Sequence, residues 1–379
     1  MKVVIASDKF KGSLSSEQVA AAIEEGILVA MPDCEIDKLH VADGGDGTAA
    51  SIVESTGGVW INVKSEDPLG RQVDARFGAV ESRTAVIDVA TASGIALLRP
   101  DEYDPLNATT KGTGILIREA IDRGFRNFNI GVGGSATNDA GTGLLSALGY
   151  RFLDARGNEL EPCGRSLSRI AEIDDSQRMP ELKECSFTVM CDVDAAFYGP
   201  KGAAWLFGPQ KGATNKILEA LDDGMRTFAV VVKKKYGKSM QNQSYAGAAG
   251  GIGGALWAML DASLTPGIYA MLKAINFEAR IADADIVVTG EGAMDSLTLL
   301  GKAPYGVCGE AAWNGIPTIA FVGSVSDSDS LNEYGFLSVY PTVSGPMPLE
   351  EAMKPDVAYA NLKRTAMQVF RTLLIRQNN

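Results

Sequence analysis

The stretch of residues 285–302, DIVVTGEGAMDSLTLLGK, constrains the fold more than any other part of the chain. Ile286, Val287 and Val288 form a short apolar run of β-branched residues, the pattern of a parallel strand covered on both faces. Thr289, Gly290, Glu291 and Gly292 follow, and then Asp295 and Ser296, so two carboxylates and two hydroxyls fall at the carboxyl end of that strand. Open α/β sheets hold their ligands at this end. Gly301 and Lys302 close the segment with a cation near the anions. Acid, hydroxyl, pliable backbone and lysine are the parts that hold a metal–phosphate ligand. On its own a tight turn carrying solvated acids has the same residues. Recurrence separates the two readings, because glycine-and-acid turns of this style return along the chain.

The first is at the amino end. Residues 2–6 (KVVIA) read as a strand, and the turn Asp8, Lys9, Phe10, Lys11, Gly12, Ser13 leads into a helix that Ser15 or Ser16 can cap. Asp8, Lys11 and Ser13 therefore sit at a strand-to-helix turn, where free N–H groups receive anions. A second strand, residues 36–41, runs into Asp43, Gly44, Gly45, Asp46, Gly47 and Thr48 at the start of another helix. Two acids between three glycines there suit an anion bridged by Mg²⁺. No GxxxxGK[ST] segment occurs, so a nucleotide would bind without a P-loop.

From about residue 59 the character changes. Residues 59–63, 73–80 and 84–89 read as strands joined by short turns, a meander that marks a second domain inserted after about residue 60. Within it a strand over 128–132 runs into Gly133, Gly134, Ser135, Ala136, Thr137, Asn138, Asp139 and Ala140. The backbone can approach a ligand closely at the glycines, while Ser135, Thr137 and Asn138 donate and Asp139 accepts. Another strand ends at Cys191 and Asp192, and Lys211 stands in a glycine-bounded loop before a helix. Residues 247–256, GAAGGIGGAL, suit a helix packed closely against neighbouring backbone, and residues 264–281 read as mostly helical. After 283, strands and helices alternate again and are expected to rejoin the first sixty residues. The expectation is an α/β chain of two domains: a flavodoxin-like parallel sheet from 1–60 plus 283–379, and an inserted mixed α/β domain over 61–282.

Bulk properties narrow the function. A chain of 379 residues suggests two cores. With 35 Lys and Arg against 47 Asp and Glu the net charge is −12, which offers no long-range attraction to nucleic acid or an anionic membrane. An anionic substrate must then meet a local group of cations. The five cysteines are scattered, with no CxxC pair, and read as free thiols of a reducing, cytoplasmic compartment. A single histidine, His40, removes the usual general base, so a carboxylate must take that part. The opening residues read as a strand rather than a secretion signal, and no apolar run is long enough to span a membrane. Oligomeric state has no reading in the sequence.

These motifs together resemble the bacterial glycerate kinases that form 2-phosphoglycerate. The resemblance rests on SDKFKGSLSS from Ser7, VADGGDGT from Val41, KGTGILI from Lys111, GVGGSATNDAGTG from Gly131, CDVD from Cys191, FGPQKGA from Phe207, GAAGGIGGAL from Gly247 and ADIVVTGEGAMDSLTLLGK from Ala284. It runs over nearly the whole chain, with departures at Lys9, Asp46 and the pair Ala293 and Met294. It implies two α/β domains with the active site in a cleft between them, ATP and Mg²⁺ as cofactors, and glycerate as a small-molecule substrate. The residues assigned to catalysis are Asp192 as base, Lys11, Asp43 and Lys302. Glu291, Asp295 and Asp43 are assigned to the metal. Asp8, Ser13, Gly44, Gly45, Gly133, Gly134, Ser135, Thr137, Asn138, Lys211 and Ser296 are assigned to substrate and phosphate. Which lysine meets which anion is left open.

Overall fold

The computed structural model describes residues 1–42, 45, 47–81, 83–295, 298–299 and 301–374. Asp43, Gly44, Asp46 and Ser296, singled out in the sequence, lie outside the described residues.

The chain opens with β1 (Lys2–Ser7), whose apolar run is buried, and turns into a helix over Ser16–Ala30. Ser15 starts that helix with a capping box: its hydroxyl accepts from the Gln18 N–H, and the Gln18 side chain accepts from the Ser15 N–H. β2 (Glu35–His40) then pairs in parallel with β1. The meander follows as β3 (Val59–Glu66), β4 (Gln72–Val80) and β5 (Thr84–Asp88), paired antiparallel. β6 (Asn127–Gly131) adds in parallel to β5. β7 (Arg151–Leu153) and β8 (Glu172–Asp174) form a small separate antiparallel pair. β9 (Ser186–Cys191) and β10 (Ser263–Pro266) complete the second sheet. β11 (Ile286–Met294), β12 (Thr318–Val325) and β13 (Phe336–Pro341) return to the first.

Two compact units result: Met1–Asp43 with Ile268–Asn379, and Gly44–Gly267. The first holds a five-stranded, all-parallel sheet in the order β13-β12-β11-β1-β2. Numbered within the unit this is 2-1-3-4-5, the flavodoxin order. Val3, Ile5, Val288 and Phe321 pack on one face against Ile23, Ile27, Leu362 and Phe370 of two helices. Met294, Val322, Leu331 and Phe336 fill the other. The second unit holds a six-stranded mixed sheet, β10-β9-β6-β5-β4-β3. Its core includes Phe77, Ile130, Phe187, Val189, Leu221 and Phe228. Each such side chain contributes about 1.5–3 kcal/mol on burial.

The junctions differ from those expected after 60 and 282. The helix Thr48–Thr56 belongs to the second unit, because its Ala49 N–H donates to the Asp88 carboxylate (3.1 and 3.2 Å) and its Val53 packs on Gly78 of β4. Residues 264–266 extend β10 rather than a helix, since they pair with β9. The helices Gly267–Ala274 and Phe277–Ile281 then belong to the first unit, where Ile268 packs on Gly306 and Arg280 pairs with Asp37 (Nε–Oδ2 2.6 Å). All five cysteines are free; Cys34 and Cys185 are half-buried and the other three buried. No helix among the described residues is long and apolar enough to cross a membrane.

Candidate active site

In the first unit, polar residues gather where the strand order reverses, at the carboxyl ends of β1 and β11, the place such sheets offer a ligand. The Asp8 N–H and the Ser7 hydroxyl both donate to the Gly290 carbonyl (3.2 and 3.0 Å), which seats the Asp8 turn beside Gly290, Glu291 and Gly292. A side chain at Gly290 has no room, because its Cβ would lie 2.0 Å from the Phe321 carbonyl of β12. The Asp8 carboxylate accepts from the Lys9 N–H at 2.7 Å. Phe10 and Leu14 exchange backbone bonds (2.9 and 3.0 Å), so Lys11 and Ser13 stand at the tip of a tight loop. Lys11 is exposed, and among the described residues the buried Ser13 hydroxyl oxygen has no hydrogen-bond partner.

Glu291 is the centre of this group. Thr298 Oγ1 donates to Glu291 Oε1 at 2.6 Å, and Lys302 Nζ stands 3.3 Å from Oε2. Thr298 Oγ1 also accepts from the Asp295 N–H at 3.2 Å, which ties Glu291, Asp295 and Lys302 into one turn. Burial pushes the Glu291 carboxyl above its ordinary range, and Thr298 and Lys302 pull it back. Mg²⁺ takes oxygen ligands and is held by one or two carboxylates together with substrate phosphates. Glu291 and Asp295 fit that donor set. Among the described residues no group of three or more His, Cys, Asp or Glu could hold a metal. Thr298, which the sequence reading missed, was signalled only by a hydroxyl three residues after Asp295.

In the second unit a pocket of about 100 Å³ opens at the carboxyl ends of β6 and β9. These strands are parallel neighbours, with Ile130 beside Val189 and Gly131 beside Met190, so Gly133 and Asp192 arrive at the same edge. Gly133, Gly134, Ser135, Asp192 and Lys211, all singled out in the sequence, line the pocket. Gln210 and Ala249 line it too, and sequence reasoning had given neither a role. Gln210 was signalled by its place beside Lys211 in the glycine-bounded loop.

The 133–142 loop is fixed from several sides. The Ile95 N–H donates to the Gly134 carbonyl, and the Ala136 N–H to the Ser93 carbonyl, both at 2.9 Å. Ser135 and Thr137 share a hydroxyl bond of 2.9 Å, and Ser135 Oγ also accepts from the Thr137 N–H at 3.1 Å. Thr137 thus supports Ser135 from one step behind the pocket wall. Lys211 is only 3% exposed, and its ammonium donates to the Thr137 carbonyl at 2.7 Å. Burial pushes Lys211 down to about 8, against the opposing pull of the Asp139 charge.

Asn138 and Asp139 turn away from the pocket. Asn138 is fully buried and its Nδ2 donates to Met225 Sδ at 3.3 Å. Asp139, expected to accept from a ligand, instead accepts from the Thr110 N–H and hydroxyl (both 2.8 Å) and from the Gly141 and Gly143 N–H groups (both 3.1 Å). Positive φ at Gly134, Ala140 and Gly141 turns the loop so that these two side chains point inward.

The glycine-rich 247–256 segment packs closely, as expected, but it is not a plain helix. Ala249, Gly250 and Gly251 are left-handed (φ 51, 70 and 96°) inside the element Ala248–Leu260. This bend lays Gly250 on the 137–140 backbone, where the Ala140 N–H donates to the Gly250 carbonyl at 3.0 Å. A Cβ on Gly250 would lie 2.1 Å from the Thr137 carbonyl. Around Gly45, the Thr48 hydroxyl donates to the Gly45 carbonyl at 2.7 Å. The first free N–H of the following helix, expected to receive a ligand anion, is taken by Asp88, which sequence reasoning also missed.

A family model described as the glycerate kinase family matches residues 3–374. The chain is 44% identical to a glycerate kinase of Bacillus subtilis (strain 168) over 97% of each chain, and 40% identical to a glycerate 2-kinase of Escherichia coli (strain K12) over 100% of each. A solved structure described as a glycerate kinase 2 from Salmonella typhimurium LT2 has a TM-score of 0.89 at 41% identity, covering 100% of both chains. With a family match from Val3 to Leu374 and relatives aligned end to end, the chain belongs to the glycerate kinase family and is an enzyme of the kinase class.

Proposed function

We propose that this kinase transfers the γ-phosphoryl group of ATP to the 2-hydroxyl of D-glycerate, with Mg²⁺, to give 2-phospho-D-glycerate. One observation carries the reading: a buried lysine, Lys211, and a carboxylate, Asp192, line one small pocket with the backbone of Gly133 and Gly134. A pocket of about 100 Å³ suits a short acid or a phosphoryl group, and a desolvated cation binds either with strength it would lack in water. Similarity to the Escherichia coli glycerate 2-kinase supports the 2-hydroxyl as acceptor.

Phosphoryl transfer asks a protein chiefly for positioning and for cancelling charge. Lys211 neutralises an anionic oxygen of the substrate, and the loop backbone at Gly133, Gly134 and Ser135 lies against it. Asp192, exposed at the rim, orients the attacking hydroxyl and takes its proton as the new O–P bond forms. Glu291 and Asp295 hold the metal, Lys302 screens the phosphates beside them, and Lys11, Asp8 and Ser13 line the same strand ends. Glu291 and Asp295 are the residues that would hold Mg²⁺, which would supply positive charge to offset that of the phosphates. The five free thiols support a reducing, cytoplasmic setting, which cell fractionation tests.

The reading is tested by ADP release with ATP, Mg²⁺ and a panel of small hydroxy acids. Turnover that is fastest with D-glycerate supports it. Turnover confined to another hydroxy acid would keep a kinase and reassign its substrate.

A further inference from the structure

The second acid of the CDVD segment, Asp194, has no place in the mechanism above. It is exposed, and its Oδ1 accepts from the Tyr245 N–H at 2.6 Å. Short bonds of this kind are those in which an ionised carboxylate is the acceptor. Beside it the Gly247 N–H donates to the Ala195 carbonyl at 2.9 Å. A Cβ on Gly247 would lie 2.1 Å from the Ala196 carbonyl, so the two segments meet backbone to backbone. This joint ties together two stretches of the pocket lining. Asp192 and Val193 line the pocket from the first segment, and Ala248 and Ala249 line it from the second.

Tyr245 is the strained member of the joint. Its φ is 65°, a left-handed conformation that a bulky L-residue rarely adopts. Such backbone persists only where its surroundings over-determine it. Here the Asp194 carboxylate holds the Tyr245 N–H, and the Tyr245 carbonyl accepts from the Ala248 N–H at 3.0 Å. Gly253 closes on that carbonyl from the other side, since a Cβ there would lie 2.6 Å from it. We propose that Asp194 is a positioning residue of this pocket: it holds Tyr245 left-handed and so fixes Ala248 and Ala249 relative to the loop that carries Asp192. This rests on the pocket being the substrate site of the proposed kinase. Asp194 acts through the backbone and touches no substrate, so its role needs an oxygen acceptor rather than a negative charge.

The test is a cycle of Asp194→Ala, Tyr245→Gly and the double variant, with Asp194→Asn beside it. Glycine takes positive φ at no steric cost, so Y245G keeps the bend without the clamp. D194A is expected to lower kcat/KM about 10-fold, the worth of one bond to a charged acceptor. D194N keeps the acceptor oxygen and is expected to stay within about threefold of the wild type. In the Y245G background the alanine substitution is expected to cost less than about threefold. A D194N enzyme as slow as D194A would make Asp194 a charge that meets substrate or metal, which overturns the proposal. Equal losses from D194A in both backgrounds would overturn it as well. The second readout is thermal melting, which needs no turnover. D194A is expected to lower the melting temperature by more in the wild type than in Y245G, and additive shifts would overturn the clamp. Coupled melting without turnover of glycerate would support the clamp and reject glycerate as the substrate. If D194A yields no folded protein, a folded double variant supports the proposal, and an unfolded double variant while Y245G folds rejects it.

Discussion

Replacing Lys211 by methionine asks whether the pocket holds its cation at the expense of stability. Methionine keeps the length and volume of the buried stem and removes the charge. In the folded protein Lys211 loses its proton at about 8, against an ordinary lysine value of 10.5. The gap of 10.5 − 8 = 2.5 units, at about 1.4 kcal/mol each, means that charged Lys211 costs about 3 kcal/mol at neutral pH. Against this, losing its bond to the Thr137 carbonyl costs about 1–2 kcal/mol. K211M should therefore be more stable by about 1–2 kcal/mol at pH 7, a rise in melting temperature of roughly 2–8 °C for a unit of this size. The pH dependence fixes the cause. Since the folded value lies below the unfolded one, the unfolded chain binds more protons between about 8 and 10.5, and wild-type stability gains on K211M as pH rises through that window. Melting curves of both proteins at about pH 7 and about pH 10 read this directly. Activity moves the other way: loss of the desolvated cation should lower kcat/KM by about 10²–10³-fold. A variant that melts below the wild type at pH 7, with a gap that pH does not change, would refute the reasoning.

Asp192→Asn should cut kcat by about 10²–10⁴-fold, while melting stays within about 1–2 °C because the side chain is exposed; full activity would remove Asp192 from the base role. Glu291→Gln keeps an oxygen for the Thr298 hydroxyl and loses the charge, so the Mg²⁺ concentration for half-maximal rate should rise about 10-fold or more, and an unchanged metal requirement would move the metal elsewhere. Gly250→Ala places a methyl 2.1 Å from the Thr137 carbonyl at a φ of +70°, so it should destabilise by more than about 1 kcal/mol and raise KM for glycerate; a variant with wild-type melting and KM would show that the bend does not set the loop.

The parts of this fold that were legible in the sequence are those set by local pattern. The β-branched run at Ile286, Val287 and Val288 announced a buried parallel strand, and the change to a meander near Val59 announced a second sheet. The pocket wall at Gly133, Gly134 and Ser135 was legible because glycines and hydroxyls crowd a strand end. The junctions were not, since the helix Thr48–Thr56 looks the same whichever sheet it covers, and its partner Asp88 is some forty residues away. Asn138 and Asp139 looked like ligand-binding groups because residue type gives chemistry but not direction. Their direction depends on left-handed backbone at Gly134, Ala140 and Gly141, and an alanine gives no sign of that conformation. Small residues in the 247–256 segment announced close packing, and the bend at Ala249 emerged only from the backbone it has to meet.

The most direct test of the central claim is the identity of the product. The wild-type protein is incubated with ATP, Mg²⁺ and D-glycerate, and the product is passed to enolase alone or to enolase with phosphoglycerate mutase. Enolase alone acts on 2-phosphoglycerate, so full signal without the mutase is the predicted result. Signal that appears only when the mutase is added would place the phosphoryl group on the 3-hydroxyl and contradict the account.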